Sequence, residues 1–166
     1  MGSFQEYIEE YRKQLKKGDI QKAYQGLMEY IMELRSYFQN KYPDYFVSGS
    51  IYHGFMDMTY FSFSPKPLKD KKLRIAIVFL HQAFRFEAWL AGYNKQVQSR
   101  YWKMVKDSGW KKYSLVPSIK GADAIIEYIL VDDPDFSEPE ALTKQIEDAA
   151  LRFINDIDSY LAVHQP

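Results

Sequence analysis

Apolar residues recur at helical spacing from the N-terminus of the chain. Ser3 and Glu6 have the spacing of a capping box, and apolar residues then follow every three or four positions to about Asn40. Gly18 interrupts this run at a position suited to a helix C-cap. The pattern therefore predicts two consecutive helices, an N-terminal helix hairpin closed at Gly18.

The C-terminal segment has the same period. Its apolar positions are Leu142, Ile146, Ala149, Phe153, Ile157 and Leu161. Ser137 and Glu140 predict a second capping box, with Pro139 in the first turn. Another amphipathic helix is predicted from a cap at Asn94 to about Asp107.

The middle of the chain has the apolar and alternating patterns of strands. These segments are residues 51–63, 73–81, 84–92 and 124–131. In the third of them apolar side chains occupy one parity, and the other parity is taken by Arg85, Glu87 and Trp89. We therefore expect these three side chains to share one face of a sheet.

The order of the predicted elements indicates the α+β class. It comprises an N-terminal helix hairpin, an antiparallel sheet of three to five strands, and a C-terminal amphipathic helix packed on the sheet. A chain of 166 residues has the length of one domain, and residues 1–166 are expected to form it.

Composition narrows the functional classes. The formal net charge is zero, so the chain has no overall attraction for nucleic acid or anionic membrane. It has no cysteine, which excludes disulfides and thiolate chemistry and favours a reducing compartment, the cytoplasm. The N-terminus does not resemble a secretory signal, and the longest apolar run is too short to span a membrane.

Aromatic residues are abundant, at 17% of the chain, with 14 tyrosines. Most of them are expected in the core. An excess of the amphipathic tyrosine also suits a binding groove or a subunit interface, so a homo-oligomer is one expectation.

A small set of polar side chains in or beside the strands forms the candidate ligand-binding site. Its members are Asp57, His81, Arg85, Glu87, Trp89 and Lys95. One interpretation is an ion pair of Arg85 with a carboxylate on a solvated sheet face. The other is a shared site in which two carboxylates and an imidazole bind Mg²⁺ or Mn²⁺.

Other chemistry has little support in the sequence. Glycine-rich phosphate loops and paired-histidine zinc motifs are absent. Residues 94–112 combine lysines with two tryptophans, which suits either single-stranded nucleic acid or an amphipathic helix with packed rings, and we favour the helix.

The passages KLRIAIVFLHQAFRFEAWLAGYNK, DSGW and AIIEYILVDDPDF resemble an uncharacterised bacterial domain family of unknown function. The element order is also similar to the PD-(D/E)XK nuclease-like fold. That resemblance implies metal binding by Asp57 and Glu87. Trp89 stands where the nuclease motif requires lysine, and Lys95 is the nearest substitute.

The sequence does not decide whether the protein is an enzyme. We expect a bacterial cytosolic domain that binds a partner protein or a small molecule without catalysis and without a cofactor. The alternative is a nuclease-like enzyme, or its degenerate relative, that depends on Mg²⁺ or Mn²⁺.

Overall fold

The computed structural model describes residues 1–166 as five helices and five strands. In chain order these are α1 (Phe4–Lys17), α2 (Asp19–Lys41), β1 (Phe46–Val47), β2 (Met58–Ser64), α3 (Lys66–Asp70), β3 (Leu73–Leu80), β4 (Arg85–Gly92), α4 (Lys95–Ser108), β5 (Ile126–Asp132) and α5 (Pro139–Val163). The predicted α+β class, with two N-terminal helices and a C-terminal helix packed on an antiparallel sheet, is confirmed.

The five strands form one antiparallel sheet in which each strand lies beside its neighbour in the chain. In the central strand β3, Ile77 pairs with Phe61 of β2 and with Ala88 of β4. The register between β4 and β5 shifts between Phe86 and Glu87, as at a β-bulge. The connection between β4 and β5 is the longest of the sheet, because it contains α4.

One cluster of 30 buried residues forms the core between the sheet and the helices. Phe86, Ala88 and Leu90 of β4 belong to it, together with the buried faces of α2, α4 and α5. Alternation along β4 directs Arg85, Glu87 and Trp89 to the opposite face, as predicted. Helices α2 to α5 all contribute to this core and α1 buries no residue, so the opposite face has no helical layer. We call it the open face.

The two N-terminal helices meet at Gly18, whose φ of 81° is left-handed, and the capping box of Ser3 and Glu6 is present. All the buried residues of α2 lie between Met28 and Phe38. The first part of α2 therefore extends beyond the core, and α1 in front of it buries no residue at all.

Two local predictions require correction. The strand expected over residues 51–63 begins only at Met58, because Gly54 and Met56 both have positive φ, which breaks an extended segment. Ser137 does not cap the last helix. Its hydroxyl donates to Asp135 Oδ1 (2.6 Å), and the helix begins at Pro139 without a side-chain cap.

None of the helices combines the length and the apolar character required to cross a membrane.

A buried carboxylate ties α2 to α5. Glu147 of α5 is 1% exposed and accepts hydrogen bonds from Tyr37 Oη (2.6 Å), from the hydroxyl of Tyr42 and from Lys41 Nζ (2.6 Å). Burial alone would raise the pKa of Glu147, but these three donors outweigh it and lower the pKa to about 2. The folded state therefore holds this side chain as a carboxylate.

Replacing Glu147 with Gln should lower the free energy of unfolding at pH 7 by roughly 2–3 kcal/mol, because the amide cannot accept from all three donors. The pKa of Glu147 is lower in the folded state than its ordinary value of 4.5. Its stabilisation is thus complete above pH 4.5 and is lost as the pH falls towards 2. Urea denaturation across this range should show the difference between wild type and Glu147→Gln shrinking.

Asp148→Asn is the matched control. This neighbouring carboxylate is exposed and pairs with Lys144 at 2.8 Å on the surface of the helix. Its replacement should change stability by less than about 0.5 kcal/mol. A gap between wild type and Glu147→Gln that stays constant down to pH 2 would contradict the assignment.

Candidate functional site

A large concave surface lies at one end of the sheet, where the overhanging part of α2 meets the loops around β2 and β3 and the start of α5. Its volume is about 740 Å³. That is within the range of roughly 300–1,000 Å³ typical of ligand pockets. We call it the α2 groove, and its apolar lining includes Ile20, Ala23, Leu27, Met56, Phe84 and Phe136.

Two residues of the α2 groove have a backbone conformation that bulky side chains rarely adopt. Met56 has φ 62° and Phe84 has φ 53°, both left-handed. Each such residue costs on the order of 1–2 kcal/mol. Their side chains are nevertheless 56% and 47% exposed, so burial does not repay the strain. Strain that keeps apolar side chains at a concave surface points to a binding role for that surface.

His81 lies in the wall of the α2 groove. Its Nε2 is 2.9 Å from Thr59 Oγ1, and the Thr59 hydroxyl donates its own proton to the carbonyl of His53 at 2.6 Å. Nε2 must therefore carry the proton, and Nδ1 is an acceptor. Burial lowers the pKa of His81, and the Asp57 carboxylate opposes this only partly. The imidazole is consequently neutral at pH 7.

Asp57 is beside His81, since its carbonyl oxygen accepts from the His81 amide at 3.0 Å. Its side chain closes its own loop, where Oδ1 accepts from the amide of Phe55 at 2.8 Å. Hydrogen bonds from the amides of Phe55 and Met58 lower the pKa of Asp57. The carboxylate therefore shapes the loop that carries Met56.

Arg85, Glu87 and Trp89 meet on the open face of the sheet. Arg85 Nε donates to Glu87 Oε2 at 2.6 Å, and Trp89 Nε1 donates to Glu87 Oε1 at 2.9 Å. Glu87 is only 1% exposed, and both of its oxygens have a donor. The ion pair expected between Arg85 and a carboxylate is present, with the indole as its second partner.

The six predicted site residues therefore occupy three places. His81 lines the α2 groove and Asp57 lies beside it, whereas Arg85, Glu87 and Trp89 are on the open face. Lys95 is exposed at the start of α4, beyond the other end of β4. Parity could group residues within β4, but it could not show that the loop carrying Asp57 turns towards α2.

The structure contains no group of three His, Asp or Glu side chains placed to hold a metal ion. The nuclease-like interpretation requires Asp57 and Glu87 to bind the same metal ion. In the structure the first carboxylate binds its own loop, and the second binds Arg85 and Trp89.

The tryptophans of residues 94–112 make contacts inside the protein. Trp102 Nε1 donates to the carbonyl of Val116 at 2.9 Å, and Trp110 stacks on Tyr160 with centroids 4.1 Å apart. Lys106 lies over the Trp102 ring at 4.7 Å. This stretch has the contacts of an amphipathic helix with packed rings.

Most residues of the α2 groove were not among the predicted site residues. Ile20, Ala23 and Leu27 fit the helical period of α2, which predicts that they lie on its packed face. Ala23 and Gly26 indicate the groove in the sequence, because two small residues so close together leave a depression on the surface of a helix.

A family model for a domain of unknown function, DUF7000, matches residues 4–161. The chain belongs to this family. The DUF7000 match confirms the predicted resemblance to an uncharacterised domain family, and it begins at the first residue of α1. No curated protein and no solved structure matches the chain.

In this DUF7000 protein the Trp89 indole donates a hydrogen bond to the buried Glu87 carboxylate. We therefore predict that the indole stabilises the fold. Trp89→Phe removes the N–H donor and leaves one oxygen of a buried carboxylate unpaired. We expect the free energy of unfolding to fall by about 1–3 kcal/mol in urea denaturation. In the control Trp102→Phe the acceptor left without its donor is the neutral carbonyl of Val116, so the fall in the free energy of unfolding should be smaller. A Trp89→Phe protein as stable as wild type would reject this role.

Strain at Met56 can be tested by removing the side chain. Glycine adopts positive φ freely, so Met56→Gly should leave the free energy of unfolding unchanged or raise it by up to about 1 kcal/mol. Lys72→Gly is the control, since Lys72 is also exposed with φ 58° but lies outside the α2 groove. Thermal melts should show the same direction for both. A clear loss at Met56 alone would mean that its side chain supports the fold.

Proposed function

We propose that the protein is a non-catalytic binding domain that holds an amphipathic helix of a partner protein in the α2 groove. The observation that carries this proposal is the shape of the groove. It follows α2 from Ile20 to Glu33, which is nearly four helical turns or about 20 Å. An elongated apolar channel of this length fits the apolar face of a helix better than a compact metabolite.

The polar groups of the groove support binding over catalysis. His81 is neutral and hydrogen-bonded to Thr59, and the Asp57 carboxylate is occupied by backbone amides. Lys22, Glu29 and Glu33 provide charges of both signs along the α2 side of the groove. Such an apolar floor with charged flanks is the usual composition of a helix-binding groove. The cysteine-free composition favours a reducing compartment such as the cytoplasm.

Fluorescence polarisation with a labelled amphipathic probe helix of roughly 14 residues tests this proposal. The groove variant combines Ile20→Lys with Ala23→Arg, two exposed positions where charge does not disturb the core. We expect the wild type to bind the probe and the groove variant to bind it at least about tenfold more weakly. Met56→Gly should also weaken binding, whereas Lys72→Gly should not.

Ile129→Lys provides the matched control. Ile129 and Ile20 are each 42% exposed, but Ile129 lies in β5 and outside the α2 groove. Its replacement should leave the affinity for the probe unchanged. Equal affinity of wild type, groove variant and control for the probe would overturn the proposed function.

A further inference from the structure

The N-terminal helix α1 exposes an apolar stripe to solvent. Phe4 is 79% exposed, Tyr7 57% and Tyr11 62%, and Ile8 and Leu15 continue the stripe. No residue of α1 is buried. An amphipathic helix normally covers such a stripe by packing, so the stripe lacks a partner within the chain.

Local interactions alone do not account for a stable α1. The capping box at Ser3 and the Gly18 C-cap define its ends, but an isolated helix of 14 residues is marginal in water even for favourable sequences. Packing of the apolar face supplies most of the stability of such helices in proteins. We therefore expect a surface that covers the stripe.

The link between α1 and α2 disfavours the chain's own groove as that surface. Gly18 alone separates the two helices, whereas helices that pack side by side are usually joined by about two to five residues. Gln21 Nε2 also donates to the carbonyl of Leu15 at 2.7 Å, across this link. Short hinges of this kind favour exchange of the helix with a second copy of the chain.

The α1 stripe and the α2 groove match in length and character. A helix of 14 residues is about 21 Å long, close to the length of the groove. Phe4, Tyr7 and Tyr11 expose roughly 400 Å² of side chain between them, and the groove offers an apolar floor to receive it.

We propose that two copies of the protein exchange α1, so that each α1 lies in the α2 groove of the other copy. This inference rests on the proposed function and names the partner helix. The arrangement is self-complementary, as a two-fold dimer requires. Two stripes bury roughly 800 Å², and the two grooves that receive them bring the total to about 1,200 Å², the lower end of the range for stable interfaces.

Sedimentation velocity over a range of protein concentrations tests the exchange. The wild type should dimerise. The stripe variant, Tyr7→Lys with Tyr11→Lys, and the groove variant, Ile20→Lys with Ala23→Arg, should each associate at least about a hundredfold more weakly. All four positions are exposed, so both variants should keep the folded core, and any loss of helical circular dichroism should be no larger than the uncovered α1 accounts for. Ile129→Lys should dimerise like the wild type.

Mixing the two variants gives the sharper result. The stripe variant retains an intact groove, and the groove variant retains an intact α1. Their mixture should therefore form a heterodimer through one restored contact, although neither variant dimerises alone. The stripe variant should also bind the probe helix more tightly than the wild type, because no second copy competes for its groove.

The outcomes separate this inference from the proposed function. A wild type that is monomeric and binds the probe overturns the exchange and leaves the helix-binding function standing. A monomer whose stripe variant binds the probe more tightly shows that α1 reaches the groove of its own chain, which also overturns the exchange. A dimer that survives in either variant, or a mixture without heterodimer, rejects the pairing of stripe with groove. If the probe fails to bind even the stripe variant, the helix-binding function falls as well.

Discussion

Coverage of a single face of the sheet is the constraint on which the structure depends. The inner face of β3 and β4 must be shielded from water, and α2, α4 and α5 do this through one core. The buried part of α2 is confined between Met28 and Phe38, although the helix has 23 residues. Its first turns therefore project past the sheet. The α2 groove lies along this overhang, so the feature with the clearest binding potential follows from a helix longer than the surface it covers.

Two buried glutamates fix the layers on either side of this arrangement. Glu147 joins α5 to the end of α2 through two tyrosines and Lys41, and this contact sets how α2 lies on the sheet. Glu87 holds Arg85 and Trp89 against the open face. Both carboxylates are buried, and each of their oxygens accepts from a hydrogen-bond donor, which is the condition under which a buried charge is tolerated. The direction of the α2 overhang is thus held from the far end of the helix.

Periodicity predicted most of the fold because most of the chain obeys one requirement, burial of one side. The helices, the central strands and the common face of Arg85, Glu87 and Trp89 all follow from it. Prediction from periodicity failed where local backbone geometry determines the structure. Met56 has a positive φ, which interrupts the strand expected over residues 51–63. The Ser137 hydroxyl donates to the Asp135 carboxylate and therefore does not cap the last helix.

The candidate site was less predictable, for a different physical reason. Sequence period shows that Ile20, Ala23 and Leu27 share a face of α2, but whether that face meets core or solvent depends on where the sheet ends beneath it. The loop carrying Asp57 and the wall residue His81 likewise come together only through the pairing of β2 with β3. Charged residues in strands indicate a site because burying them is costly, but the α2 groove is lined mainly by apolar residues, which give no such signal.

The aromatic excess has an explanation in this division of the chain. Rings in the core contact one another, as Phe38 and Phe63 do at 4.5 Å. A second set is less buried: Phe4, Tyr7 and Tyr11 on α1 remain largely exposed, and Phe84 beside the groove is 47% exposed. Large exposed aromatics add nothing to the stability of a monomer and promote non-specific association. In the proposed exchange of α1, the exposed rings of α1 and Phe84 beside the groove belong to the two halves of one interface.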